Sequence, residues 1–288
     1  MTSKATGKDR SDNALAALLS EAGLTPQGRL QGLSGGDMAG VYRLATEQGD
    51  VVAKQDDPAR LAGEADGLRA LRRAGTCLVV PEVLGEANGW LIMEALEQGR
   101  TPRLAETLGE GLRQLHGDTA TPHGWPRDNA CGHTPQPNAP LDDGRAFQRE
   151  RRLAPLAEAC HADGLLSDSL RRRINDIADG LETWLPNTPA SLVHGDLWSG
   201  NVVFTPQGPG IIDPAVYRHY PEVDLAMLTL FGAPGAAFFD AYWNGAAPND
   251  WPRRETLFQL YPLLNHLLLF GGGYRSAVER TVERLEHG

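Results

Sequence analysis

A chain of 288 residues allows one large domain or two modest ones, at about 100–200 residues per domain. Its 41% hydrophobic and 22% charged residues suit a packed core and exclude a disordered chain. With 27 Lys+Arg against 37 Asp+Glu the formal charge is −10, which excludes binding to nucleic acid or anionic membrane by bulk electrostatics. Any phosphate must therefore be held by local donors or a metal. Cys77, Cys131 and Cys160 are odd in number and contain no CxxC pair, which argues against a disulfide framework or a zinc knuckle. Residues 1–13 are polar, and no run reaches the roughly 18 apolar residues that span a bilayer. The expectation is a cytoplasmic protein with no nucleic-acid or membrane partner.

In chain order, Leu15, Leu18, Leu19 and Ala22 share a helical face that Gly23 ends. Two strands are predicted at Gly40–Thr46 and Asp50–Lys54, across the turn Glu47-Gln48-Gly49. A helix follows from about Pro58 to Ala74, closed by Gly75, and then short strands at Leu78–Leu84 and Trp90–Met93. After Met93 the character changes. Leu104, Leu108, Leu112 and Leu115 line one face of a helix ending at His116-Gly117. Residues 118–144 form a Pro/Gly/Asn-rich stretch with almost no periodicity, the kind of long loop that is functional or disordered. Helices dominate to the end, broken by one β-like island from Ser191 to Pro214. The expected fold class is α+β and bilobal. Residues 1–95 form a sheet-bearing lobe, and 96–288 a larger, mainly helical one, with a junction near Glu94–Glu97.

The β island carries the chemistry. It reads His194-Gly195-Asp196-Leu197-Trp198-Ser199-Gly200-Asn201, followed by Ile211-Ile212-Asp213-Pro214. Asp196 and Asn201 are five apart, as in the H-R-D-x-x-x-x-N loop of kinases, and Asp213 stands where kinases carry the Asp of D-F-G. Phosphoryl transfer needs one carboxylate at the attacking hydroxyl, and an Asn with a second carboxylate to hold Mg²⁺ against the phosphates. Each motif alone also fits an ordinary turn or strand exit; their order and spacing together favour a kinase-like site. Upstream, Lys54 ends a Val-Val-Ala-Lys strand, like the lysine that contacts the α/β-phosphates. Glu64, Leu68 and Leu71 share a helical face, so Glu64 at the edge of a core stripe needs a partner, and Lys54 is the candidate. The segment Leu33-Ser34-Gly35-Gly36-Asp37-Met38 lacks the G-x-G-x-x-G spacing, yet its place before the Lys54 strand suits a turn offering backbone N–H groups to phosphates.

Beyond this shared core, the sequence resembles the fructosamine kinase (ketosamine-3-kinase) family. The resemblance rests on Gly35-Gly36-Asp37, the Gly124-Trp125 to Asp128-Asn129 segment, Gly132 through Asn138, and Arg151-Arg152-Leu153. It continues through Trp198 inside the loop, Asp213-Pro214-Ala215-Val216-Tyr217, Glu222 to Met227, Leu230-Phe231-Gly232, His266 and Phe270 to Tyr274. It departs from the family pattern at Met38-Ala39-Gly40 and at Ala139-Pro140-Leu141, where a downstream tryptophan is missing. The resemblance implies a protein-kinase-like fold, as in aminoglycoside phosphotransferases. It also implies an ATP- and Mg²⁺-dependent kinase for the C3 hydroxyl of ketosamines, whose phosphorylated adducts break down and free the amine. By position it implies Asp196 as catalytic base, Asn201 and Asp213 as metal ligands, and Lys54 oriented by Glu64 on the phosphates. Gly35 and Gly36 would lie near the phosphates, the backbone of Glu94–Leu96 near adenine, and Trp198 and His266 in the sugar pocket. The implied partners are ketosamine small molecules or glycated protein lysines, taken up by a monomer. Two other readings stay open from sequence: a kinase of aminoglycosides or choline in the same fold, and a nucleotide-binding pseudokinase. Asp224 reads as scaffold for the catalytic loop, Gly271-Gly272-Gly273 as a helix cap, and Arg171-Arg172-Arg173 as a solvated helix face.

Overall fold

The computed structural model describes residues 3–33 and 40–287. The chain opens with helix α1 (Ser3–Glu21), the short strand β1 (Gln31–Gly32), and the hairpin β2 (Gly40–Thr46) and β3 (Gly49–Gln55). Helix α2 (Pro58–Arg73) starts at Asp57, whose carboxylate accepts from the Ala59 and Arg60 amides, with Pro58 in the first turn where it needs no N–H. Strands β4 (Val83–Ala87) and β5 (Trp90–Glu94) complete an antiparallel sheet in the order β1-β2-β3-β5-β4.

The two-residue period of this sheet decides what each face does. Val51, Ala53, Trp90 and Ile92 turn to one side and pack with Leu15, Leu18 and Leu19 of α1. Val52, Leu91 and Met93 turn to the other, joining Leu61, Leu68 and Leu71 of α2. Lys54 shares that second face.

The next elements are α3 (Leu104–His116), β6 (Thr119–Ala120), β7 (Asn129–Cys131) and β8 (Thr134–Gln136). Helices α4 (Gly144–Phe147) and α5 (Ala154–Ala162) are joined by a π-helical turn at Gln148–Leu153, and α6 (Asp168–Asp179) packs beside them. The strands β9 (Ala190–Val193), β10 (Val202–Thr205), β11 (Gly208–Ile211) and β12 (Tyr217–His219) follow, and with β6, β7 and β8 they make three small antiparallel units: β10 with β11, β12-β9-β6, and β7 with β8. Helices α7 (Glu222–Leu230), α8 (Ala236–Trp243), α9 (Trp251–Phe270) and α10 (Arg275–His287) finish the chain. Gly109 lets α3 approach α8 closely, since a Cβ there would lie 2.3 Å from the Phe238 carbonyl oxygen.

Three expectations are corrected. The strand expected at 78–84 forms at Val83–Ala87 instead. Leu78–Pro81 is drawn away to β11: the Val79 amide donates to Pro209 and its carbonyl accepts from Ile211. The stretch 118–144 is not a structureless loop. It holds three short strands and is fixed by side chains, a kind of order that periodicity does not report. The β island also continues past Pro214, since β12 pairs with β9. Gly271 does cap α9, at φ 81°.

The core crosses the expected junction near residue 95. One continuous cluster runs from Leu61, Leu68 and Leu91 through Leu108 and Leu112 to Ile211, Val216 and Phe238. A second, mainly helical cluster includes Ile174, Leu257, Leu264 and Val282. Leu68, fully buried within the first, should be among the costliest truncations. Leu68→Ala is expected to lose about 2–5 kcal/mol of stability, read as a lower urea midpoint at unchanged slope.

Candidate active site

The site begins with one ammonium group. Lys54 is buried on β3, and its Nζ donates to Glu64 Oε1 at 2.7 Å and to Asp213 Oδ1 at 2.6 Å. Burial works against its charge, but Glu64 and Asp213 outweigh it and hold the ammonium above its ordinary pKa. The expected Lys54–Glu64 pair is therefore formed, and it has a third member. Asp213 sits just past β11 at φ 57°, a left-handed conformation that short polar residues tolerate, which turns its carboxylate back toward Lys54.

The catalytic loop between β9 and β10 is built on Asp224 of α7. This carboxylate is fully buried and accepts from the His194 amide at 2.7 Å and the Gly195 amide at 2.9 Å. His116, at the end of α3, contacts it at 3.1 Å through Nε2. Burial alone would raise the Asp224 pKa, but the His116 hydrogen bond, the nearby imidazoles and the Gly195 amide hold it below the usual range. Gly195 has no substitute: its φ is 83°, and a Cβ would lie 2.1 Å from the Ala215 carbonyl oxygen. His194 donates from Nε2 to the Ile212 carbonyl at 3.0 Å and accepts at Nδ1 from the Asp196 amide at 3.3 Å. Asn201 donates from Nδ2 to the Asp196 carbonyl at 2.8 Å, which leaves its amide oxygen for another partner. The scaffold reading of Asp224 holds.

Asp196 is thus fixed on both sides by its own backbone. Burial, reinforced by the negative Asp213, pushes its carboxyl up to about 7, against a hydrogen bond from the Cys131 thiol. Cys131 is itself buried on β7 and accepts from Asn265 Nδ2 at 3.3 Å.

A cleft of about 850 Å³ opens beside these groups. Its lining includes Lys54, Asn201 and Asp213, and also Pro81, Met93, Glu94 and Leu96. The Glu94 and Ala95 amides are spent on Glu82 and Asp50. Trp198 lines the mouth with 40% of its surface exposed. His266 does not line this cleft. It stands on α9 behind Phe231, whose ring contacts both Trp198 and His266. Gly35 and Gly36 lie outside the described residues.

The sequence profile described as fructosamine kinase matches residues 12–287. The chain belongs to the fructosamine kinase family. Among its relatives, a Synechocystis protein designated a probable ketoamine kinase is 38% identical over 232 residues, covering 77% of each chain. The protein-ribulosamine 3-kinase of Arabidopsis thaliana is 31% identical over 281 residues, covering 92% of this chain and 85% of its own. A crystal structure assigned to fructosamine-3-kinase from Thermobifida fusca superposes with a TM-score of 0.87 at 31% identity, covering 95% of this chain and 98% of that one. The protein-kinase-like fold and the kinase class follow from these matches together with the geometry above.

Family membership also gives meaning to side chains that no role was read for. Cys131 touches the expected base, but a lone cysteine in an aperiodic stretch carries no spacing that would reveal it. Arg152 is fully buried in the π-helical turn, over the rings of Tyr217 at 4.1 Å and Phe147 at 4.7 Å. It donates to the Pro137 carbonyl and to Asn138 Oδ1, each at 2.7 Å. Asn138 and Gln136 in turn donate to Asn129, and Asn129 and Gln136 reach the Val216 and Ala215 carbonyls behind Asp213. This polar network holds the 118–144 stretch against the catalytic strands. Its signal was available in Arg151-Arg152-Leu153 and the Asn/Gln-rich run, as residue types without periodicity.

Removing Asp224 would strand two buried amide donors. Asp224→Ala is expected to cost about 3 kcal/mol or more, measured by denaturant unfolding. In metal-free protein, carboxyl NMR should show Asp196 titrating near 7, so its base form is lost as the pH falls below that value.

Proposed function

We propose that this protein transfers the γ-phosphoryl group of ATP to the C3 hydroxyl of a ketosamine. The observation that carries the reading is the approach of Lys54, Asn201 and Asp213 to one cleft, with Asn201 bound to the backbone of Asp196, in a chain of the fructosamine kinase family. Residues 1–95 act as the nucleotide-binding lobe and 96–288 as the lobe for catalysis and the acceptor. Adenine lies toward Glu94 and Leu96, and the phosphates toward Lys54. Trp198 presents an indole face to the apolar side of the sugar.

In the reaction the acceptor oxygen forms a bond to the γ-phosphorus, the bond to the bridging oxygen of ADP breaks, and the hydroxyl proton passes to the Asp196 carboxylate. Asp196 is suited to this, since a base with a pKa near 7 is half ionised at neutral pH yet holds a proton well. Lys54 stays charged throughout and offsets phosphate charge. A protein of net charge −10 that brings two carboxylates to a polyanion needs a further cation. The donor set fits Mg²⁺: the Asn201 amide oxygen is left over once its Nδ2 is bound, and Asp213 keeps 44% of its side chain exposed. When bound there, Mg²⁺ would neutralise charge developing on the phosphates. We read the acceptor as a small ketosamine or a glycated protein lysine, handled by a monomer in the cytoplasm. Among the described residues no helix is long and apolar enough to cross a membrane.

The test is ADP release from Mg-ATP with a panel of fructosamines, ribulosamines and erythrulosamines, run beside aminoglycosides and choline. Turnover should be confined to the ketosamines, vanish on chelation of the metal, and fall by about 10³-fold or more in Asp196→Asn. Turnover of none of the ketosamines, or an Asp196→Asn protein of ordinary activity, would reject the assignment.

A further inference from the structure

Five aromatic side chains form a continuous ledge that starts at the catalytic loop. The Trp198 and Phe231 centroids are 6.4 Å apart, Phe231 and His266 4.9 Å, His266 and Phe270 5.5 Å, and His266 and Tyr274 5.1 Å. Trp198, Phe231 and Phe270 are 40%, 42% and 52% exposed, three of the five large hydrophobic side chains that the described residues show to solvent. A chance scatter of exposed rings needs no explanation, but a contiguous run leading out of a cleft does.

The ledge also lies where two helices end. Phe231 directly follows α7, and Phe270 is the last residue of α9, which Gly271 stops at φ 81°. Helix C-termini present carbonyl oxygens and the negative end of the helix dipole. Ring faces are likewise negative at their centres. His266 adds no positive charge: burial lowers its pKa, and its Nδ1 donates to the Pro262 carbonyl at 2.7 Å. That bond leaves Nε2 as a lone-pair acceptor, and it has no protein partner among the described residues. Ring faces, helix carbonyls and a neutral imidazole nitrogen are all partners for a cation with N–H groups; the charged groups that line the cavity beside Phe231 and Tyr274 are Arg280, Glu283 and Arg284 of α10.

We infer that this ledge is the amine-side subsite of the acceptor: it receives the protonated secondary amine of the ketosamine, and the carbon substituent behind it, while the sugar lies at Trp198 and Asp196. The inference rests on the ketosamine reading and refines it. Phe231 and Phe270 then select acceptors by the charge on nitrogen, which a pocket reading only the sugar would not do.

Two adducts of one ketose separate these cases: one on benzylamine, whose nitrogen is protonated at pH 7.5, and one on aniline, whose nitrogen is neutral. The wild-type protein is expected to favour the benzylamine adduct in kcat/KM by about tenfold, mostly through KM. Phe231→Leu and Phe270→Leu keep apolar bulk but remove the ring face, and each should shrink that preference about three- to fivefold. Thermal melting confirms that the variants are folded, and Phe270→Leu, at the more exposed position, serves if Phe231→Leu is not. A wild-type preference near one, or a preference that survives both substitutions, overturns the subsite. Absence of ADP release with every ketosamine instead overturns the function on which it rests, and the subsite with it.

Discussion

The Lys54 ammonium, held between Glu64 and Asp213, is the interaction on which the rest of this structure turns. Its two partners lie 10 and 159 residues away in sequence, one on the helix behind the sheet and one just past β11. A buried cation with one carboxylate would be neutralised, but its position across two is costly to break from either side. The triad therefore does two things at once. It ties the sheet to α2 and to the segment that follows β11, and it keeps a permanent positive charge on the lining of the cleft of an otherwise acidic protein.

Opposite that charge, the catalytic loop is immobilised by its backbone more than by its functional side chains. Asp224 holds two amides, His194 is locked between the Ile212 carbonyl and the Asp196 amide, and Asn201 is tied to the Asp196 carbonyl. The carboxylate of Asp196 is left with a thiol and with space. Precision of this kind costs no reorganisation at the moment of reaction, which is where electrostatic catalysis gains most. It also explains why the loop tolerates an exposed tryptophan: Trp198 folds back over Gly200, where even a methyl group would collide with its ring.

What could be read from the residues alone follows from how each part is held. Asp196, Asn201, Asp213, Lys54 and Glu64 are legible because their spacing along the chain reflects fixed strand and helix geometry. The α2 face carrying Glu64, Leu68 and Leu71 is legible because burial repeats with the helical period. The strand at 83–87 was misplaced by several residues, since Leu78–Pro81 is as apolar as a strand and its pairing with β11 is non-local. The 118–144 stretch was opaque for a different reason. Asn129, Gln136 and Asn138 order it through side-chain hydrogen bonds to distant carbonyls, and such bonds leave no periodic trace in a sequence. His266 could be weighed as either core or contact, and the structure gives it both characters, one nitrogen spent on its own helix and one left over.

The hydrophobic cluster that runs from α2 and β5 into α3, β11 and α8 has a mechanical consequence. Swinging the sheet away as a rigid flap would tear open this shared seam, and at about 25 cal/mol per Å² of apolar surface even a few hundred Å² is prohibitive beside a stability of about 5–15 kcal/mol. The edge of the sheet at β1 and β2 shares none of that cluster, so this seam does not hold it. The protein is built less like a jaw with a hinge than like a fixed socket.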